Sequence, residues 1–189
     1  PKQTSIILPL DKPDFEYERI EGMRQDIEPE TILFLSKLKE IQIRTDGGDN
    51  LTILKDDKQA PLIQLLIEGT KHGELYSEVR EFLLFTQTVD RPRDVRHEKR
   101  IDIDKRDVTI AFPADDNKNS IGKIFAYLPV RSDTGFPSLI NADFILPSSR
   151  EDIQDVPWNR WLIGCVANLL ADALPLLKEE GLLTLEILK

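Results

Sequence analysis

The residue types and spacing best suited to chemistry lie in Ser148-Ser149-Arg150-Glu151-Asp152-Ile153-Gln154. Two readings of this stretch compete. Ser149 with Asp152, and Ser148 with Glu151, have the spacing of a capping box, where a hydroxyl at a helix start accepts a backbone N–H. On that reading Arg150 is a solvated residue of the first helical turn. A cation there opposes the positive end of the helix dipole. An arginine fixed at such a place suits an external anion, and a phosphate accepts two parallel hydrogen bonds from a guanidinium. Arg150 is therefore the candidate phosphate contact.

Other catalytic constellations are missing from the sequence. His97-Glu98 opens like a zinc-protease helix, but Ile101 stands where the second histidine ligand belongs. His97 and His72 both sit among polar and charged residues, which points to solvated roles. No serine occupies a nucleophile elbow, and there is no Walker loop and no G-x-G-x-x-G. Gly47-Gly48 lies between two strand-like runs with no helix opening after it, so a turn suits it better than a phosphate cradle. Cys165 falls on the apolar side of a helical pattern and reads as a small buried hydrophobe.

These residues need a scaffold, and 189 residues suffice for one or two domains with a sizeable core. Apolar residues make up 40% and charged residues 31%, the balance of a folded globular chain. The net charge of −9 argues against non-specific nucleic-acid binding, which depends on neutralising phosphates, and against docking on anionic lipid. A single cysteine allows neither an intrachain disulfide nor a thiolate metal cluster, so a reducing, intracellular location is expected. No apolar run approaches the ~18 residues that span a bilayer, and no basic leader precedes residue 10. The chain begins at Pro1 without methionine, so it is expected to be a piece of a longer polypeptide.

Ser5 to Leu10 predicts one strand, whose sheet partners are expected upstream. Residues 14–38 predict helix, with Pro29 at N1 and Ile32, Leu33, Leu35 and Leu38 on an apolar face. Glu40 to Thr45 and Leu51 to Lys55 predict a hairpin. The polar stretch from Asp56 to Pro61 predicts a boundary. Leu62–Ile67 and Phe82–Thr86 predict antiparallel strands separated by the polar segment 68–80. Residues 90–107 carry seven basic and six acidic side chains, the mark of a solvated loop or helix. Val108–Pro113 and Ile124–Pro129 predict strands joined as a long hairpin, and Leu139–Leu146 predicts a further strand. The clearest helix starts near Asp155 and Pro157, with Trp158, Leu162, Val166, Leu169, Ala173 and Leu177 at helical spacing. Pro175 should bend it and Gly181 should cap it. Leu182–Leu188 suggests a last strand. The fold class is α/β of the α+β kind, a mixed, largely antiparallel sheet with packed helices and a long C-terminal helix.

Ser149-Arg150-Glu151-x-x-Gln154 resembles the S-R-E-x-x-Q motif in the middle domain of the ninety-kilodalton heat-shock chaperones. Three strings carry a closer likeness: Gly135 to Phe144, Ser148 to Ile153, and Pro157-Trp158-Asn159-Arg160-Trp161. With Thr4–Leu10, Pro29–Leu35 and Val108–Pro113, they resemble the large GHKL-type ATPases related to sacsin and the NO VEIN proteins. The resemblance implies that residues 1–57 are the end of a nucleotide-binding domain plus a connector. It makes residues 58–189 a ribosomal-S5-like middle domain. It implies that Arg150 reaches the γ-phosphate of ATP held upstream, with Gln154 as its companion and Ser149 and Glu151 supporting the loop. ATP and magnesium would belong to the longer protein, with no cofactor and no metal in this segment. The upstream domain of the same chain is the implied partner, with client proteins or self-association beyond it. Pro147 replaces the asparagine that the chaperones carry three positions before the arginine. A rival reading makes the chain a non-catalytic interaction module presenting Trp158 or Trp161, though core packing is the plainer role for both. A free-standing hydrolase lacks a visible acid–base pair.

Overall fold

The computed structural model describes residues 27–44, 50–71, 73–114, 122–179 and 181. The expected strands at Ser5–Leu10 and Leu182–Leu188, the helical reading of residues 14–26, Gly47-Gly48 and His72 lie outside the described residues. Among the described residues eight strands form one sheet: β1 (Glu40–Arg44), β2 (Asn50–Gln59), β3 (Leu62–Lys71), β4 (Glu74–Asp90), β5 (Lys105–Pro113), β6 (Lys123–Ala126), β7 (Leu128–Asp133) and β8 (Leu139–Asn141). Their spatial order is β1-β2-β3-β4-β5-β8-β6-β7, antiparallel throughout except between β6 and β8. The long C-terminal helix α1 (Pro157–Glu179) follows. The expected α+β class with a largely antiparallel sheet holds.

Alternation along the strands decides which side chain meets which layer. On β4, Leu83 and Phe85 join Val108, Ile110 and Phe112 of β5 against Trp158, Leu162, Val166 and Leu169 of α1. Their neighbours Phe82 and Leu84 turn to the opposite face with Ile53, Ile63 and Leu65, where Ile32, Leu33 and Phe34 cover them. The sheet is thus packed on both faces. The Thr86 and Thr109 hydroxyls, paired across β4 and β5, meet at 3.0 Å.

Several expectations change. The predicted helix over 14–38 shrinks, among the described residues, to a 3-10 segment, Pro29–Phe34. Leu35 is extended, and the Lys55 ammonium takes the Ile32 and Leu35 carbonyls at 2.8 and 2.9 Å, closing the segment's end. The polar stretch 56–61 is the end of β2 and a tight corner into β3, so the sheet runs through it without a break. Residues 68–80 are not a separate segment: they extend β3 and β4 outward to Lys71↔Glu74. Val108–Pro113 and Ile124–Pro129 do not pair with each other, because β8 lies between them. The second of these runs is two strands, broken at Tyr127. The strand expected over 139–146 ends at Asn141, and residues 142–147 continue as irregular chain, buried as far as Ile145.

Helix α1 stands on the apolar spacing read from the sequence and runs through Pro175 to Glu179. Gly181, at φ 72°, donates its N–H to the Lys178 carbonyl, a left-handed cap that glycine adopts without steric cost. By length and composition alone α1 is apolar enough to cross a membrane, which corrects the expectation that no segment approaches that size. In this fold one side of it forms the main core. Asp155 does not cap the helix with its side chain; it takes the Arg160 guanidinium at 2.6 and 2.7 Å.

Candidate functional site

Arg150 does not open a helix. Residues 148–149 form a turn, the Arg150 N–H closes it on the Pro147 carbonyl at 3.1 Å, and α1 begins only at Pro157. The capping-box reading of Ser148 and Ser149 therefore fails, and with it the helix-dipole argument for an anion. A different physical reason singles Arg150 out. Its φ is 54°, in the left-handed region, where an L side chain costs about 1–2 kcal/mol. Tyr127, at φ 63°, is the other non-glycine residue with positive φ among the described residues.

These two residues meet. The Arg150 Nη2 donates to the Leu128 carbonyl at 3.2 Å and to the Ala126 carbonyl at 3.4 Å, on either side of Tyr127. The Tyr127 N–H donates to Asn141 Oδ1 at 2.9 Å. The Arg150 carbonyl accepts from the Arg131 N–H at 3.3 Å. Strained backbone persists only where surrounding bonds hold it, and it concentrates at working sites. Arg150 is half-buried, and among the described residues its guanidinium has no carboxylate partner. An arginine sealed inside by carboxylates would have ruled out a role toward an external anion; this one is not so held.

Arg150 borders a cleft of about 470 Å³ that Lys99, Arg100, Tyr127, Asp143 and Ser148 also line. Asp143 is 6% exposed, so its charge needs partners. Arg100 supplies Nη2 to Oδ1 and Nε to Oδ2, and Arg106 supplies Nε to Oδ2, each at 2.6 Å. The Asp143 carbonyl takes the Trp158 indole N–H at 2.9 Å. Burial, and then the Asp143 charge, push the Tyr127 hydroxyl above its ordinary value. The dense mixed charge of residues 90–107 is therefore only partly solvated. Arg91 reinforces the same loop through the Ile103 and Val95 carbonyls at 2.6 and 2.9 Å.

The loop's placement comes from α1. Buried Asn159 accepts the Ile145 N–H at 2.9 Å and donates to the Ile145 and Gln154 carbonyls, both at 2.8 Å. One side chain thus fastens both ends of the segment that carries Arg150.

The structure brings Arg150 and Ser148 to the cleft but not the whole motif. Ser149 is exposed on the turn. Glu151 pairs with the exposed Arg131 at 3.3 Å and so acts on the loop, not on the Arg150 side chain. Gln154 contributes its main chain, donating to the Ile145 carbonyl at 3.1 Å, and does not line the cleft. Lys99, Arg100, Tyr127 and Asp143 are additions; Asp143 stood in the string 135–144, and Lys99-Arg100 in the charged run, without a signal of where they would meet.

Elsewhere the bland readings stand. His97 Nδ1 accepts the Lys99 N–H at 3.3 Å and opens the three-residue 3-10 turn Glu98–Arg100, which is no zinc-binding helix. Cys165 is half-buried against the main core, and burial raises its thiol pKa. Trp158 is fully buried, and Trp161 stacks edge-on against it at 5.1 Å, so packing accounts for both. Among the described residues no group of three His, Cys, Asp or Glu side chains could hold a metal ion.

No family model and no solved structure matches this chain. Over 182 aligned residues, 90% of the chain, the sequence is 30% identical to Protein NO VEIN of Arabidopsis thaliana. The chain is thus related to that protein along nearly its whole length, while spanning 6% of the length of NO VEIN itself.

Proposed function

We propose that this chain is the coupling region of a chaperone-like GHKL ATPase, with its sheet and α1 forming an S5-like middle domain. In this reading an upstream domain of the same intracellular protein binds ATP and magnesium. Arg150 reaches the γ-phosphate and stabilises the charge that grows on the transferred phosphoryl group. The observation that carries the reading is the strained Arg150, fixed by main-chain carbonyls beside a cationic cleft and unpaired with any described carboxylate. The similarity to NO VEIN, together with the S-R-E-x-x-Q string, supports the family side of it. Arg150 carries the chemistry, while Glu151 and Gln154 shape its loop.

The test uses a longer protein that includes the upstream domain. Arg150→Ala should lower ATP turnover by about 10³-fold, the lower end of what arginine fingers contribute, with nucleotide affinity changed far less. Arg150→Lys should recover only part of the rate, because an ammonium lacks the two-pronged geometry. Turnover at the unsubstituted level in Arg150→Ala removes Arg150 from the reaction.

A further inference from the structure

The cleft beside Arg150 holds more cationic charge than its one carboxylate needs. Lys99, Arg100 and Arg150 face a single carboxylate there, in a chain whose net charge is −9. Arg100 is occupied: Nε and Nη2 hold Asp143, and Nη1 donates to the Lys99 carbonyl at 2.9 Å. That last bond ties the Lys99 backbone to the same guanidinium that Asp143 locks. Lys99 itself is exposed, and its ammonium has no carboxylate partner among the described residues. A cation beside a buried Asp143–Arg100 anchor, with Arg150 on the same cleft, presents two unspent positive groups from separate segments.

We infer that Lys99 is a second phosphate-binding residue of this cleft, positioned by the Asp143–Arg100 pair, and that the ligand is the polyphosphate of a nucleotide. The inference rests on the reading of Arg150 given above and adds the residue that shares its ligand. Lys99 and Arg150 line the one cleft from separate segments, so a chain of phosphoryl groups offers an anion to each, and the cleft volume falls within the range of small-molecule sites. Asp143 is the positioning residue. It repels the ligand by charge yet holds the turn that carries Lys99.

Inorganic tripolyphosphate is the probe, titrated calorimetrically into the 189-residue chain at low salt, where exposed charges are least screened. Lys99→Ala should weaken its binding about tenfold, the loss of one charge-assisted contact. Lys99→Arg should restore most of it. Asp143→Asn separates positioning from simple repulsion: positioning predicts weaker binding, whereas removal of a repelling charge alone predicts tighter binding. Unchanged binding in Lys99→Ala, tighter binding in Asp143→Asn, or orthophosphate binding as well as tripolyphosphate overturns the proposal. The exposed Lys99 variants decide it even if Asp143→Asn unfolds, which its circular dichroism reports. The two readings fail separately. Turnover of the longer protein that ignores Arg150→Ala sinks the finger role while a Lys99-dependent tripolyphosphate site stands. Unaltered tripolyphosphate binding in Lys99→Ala sinks the Lys99 assignment while an Arg150-dependent turnover stands.

Discussion

Asn159→Ala should detach the Arg150 loop from α1 and destabilise the fold with it. The side chain is 1% exposed and makes three hydrogen bonds at 2.8 to 2.9 Å. Truncation strands the Ile145 N–H, in a residue 3% exposed, while the Ile145 carbonyl keeps the Gln154 N–H and the Gln154 carbonyl keeps the Val156 N–H. A buried polar group left without a partner costs about 1–3 kcal/mol. One such group, with a small addition from the two carbonyls that each lose one of two bonds, gives roughly 2 kcal/mol. For a chain of this size each kcal/mol moves the midpoint by about 2–4 °C, so Tm should fall by roughly 4–8 °C. Thermal unfolding by circular dichroism measures the fall, and hydrogen exchange at the Ile145 amide localises it. Asn159→Asp should do no better, because a carboxylate cannot donate to the two carbonyls. A loss below about 1 kcal/mol, or an Ile145 amide that stays protected in Asn159→Ala, refutes the claim that this side chain clamps the segment.

Two further outcomes follow from the geometry. Arg150→Gly and Arg150→Ala both delete the guanidinium, but only glycine relaxes at φ 54°; the glycine variant should be the more stable of the two by about 1 kcal/mol in urea unfolding. The Arg80 guanidinium, hydrogen-bonded to Glu78 at 2.7 and 3.0 Å, holds the Glu78 carboxyl below its ordinary value of 4.5. A carboxyl whose folded pKa is depressed adds stability above its unfolded pKa and loses it as pH falls through the folded one. Glu78→Gln should therefore lower neutral stability slightly, since the pair is partly exposed, and match the unsubstituted chain in acid, so that the acid limb below about pH 4.5 is flatter.

Much of this architecture was legible because side-chain period maps onto layers. The hydrophobic runs of β3, β4 and β5, and the helical spacing from Trp158 to Leu177, each bury what their periodicity requires. Neighbour order was not legible. Val108–Pro113 and Ile124–Pro129 look like hairpin arms, and nothing local announces that three residues from further along, Leu139–Asn141, will come between them. The start at Ser149 misled for a related reason: the spacing of a capping box is satisfied equally by a turn that never continues as helix. Arg150 was identifiable, but the reason for its prominence was not. Its left-handed backbone depends on carbonyls flanking Tyr127, and its cleft depends on an ion pair between residues 43 apart in sequence.

The insertion of β8 also sets an assembly order. Strands β2 to β5 each pair with the preceding one, so they zip up as the chain emerges, with little loop entropy to overcome. The β6–β7 ribbon cannot attach at that stage, because among the described residues its only strand contact with the rest is the three-residue β8, synthesised after it. Until that bridge arrives, β5 is an open border with unpaired ladder groups. A nascent or truncated chain ending before Leu139 would display it as a template for pairing with a second copy.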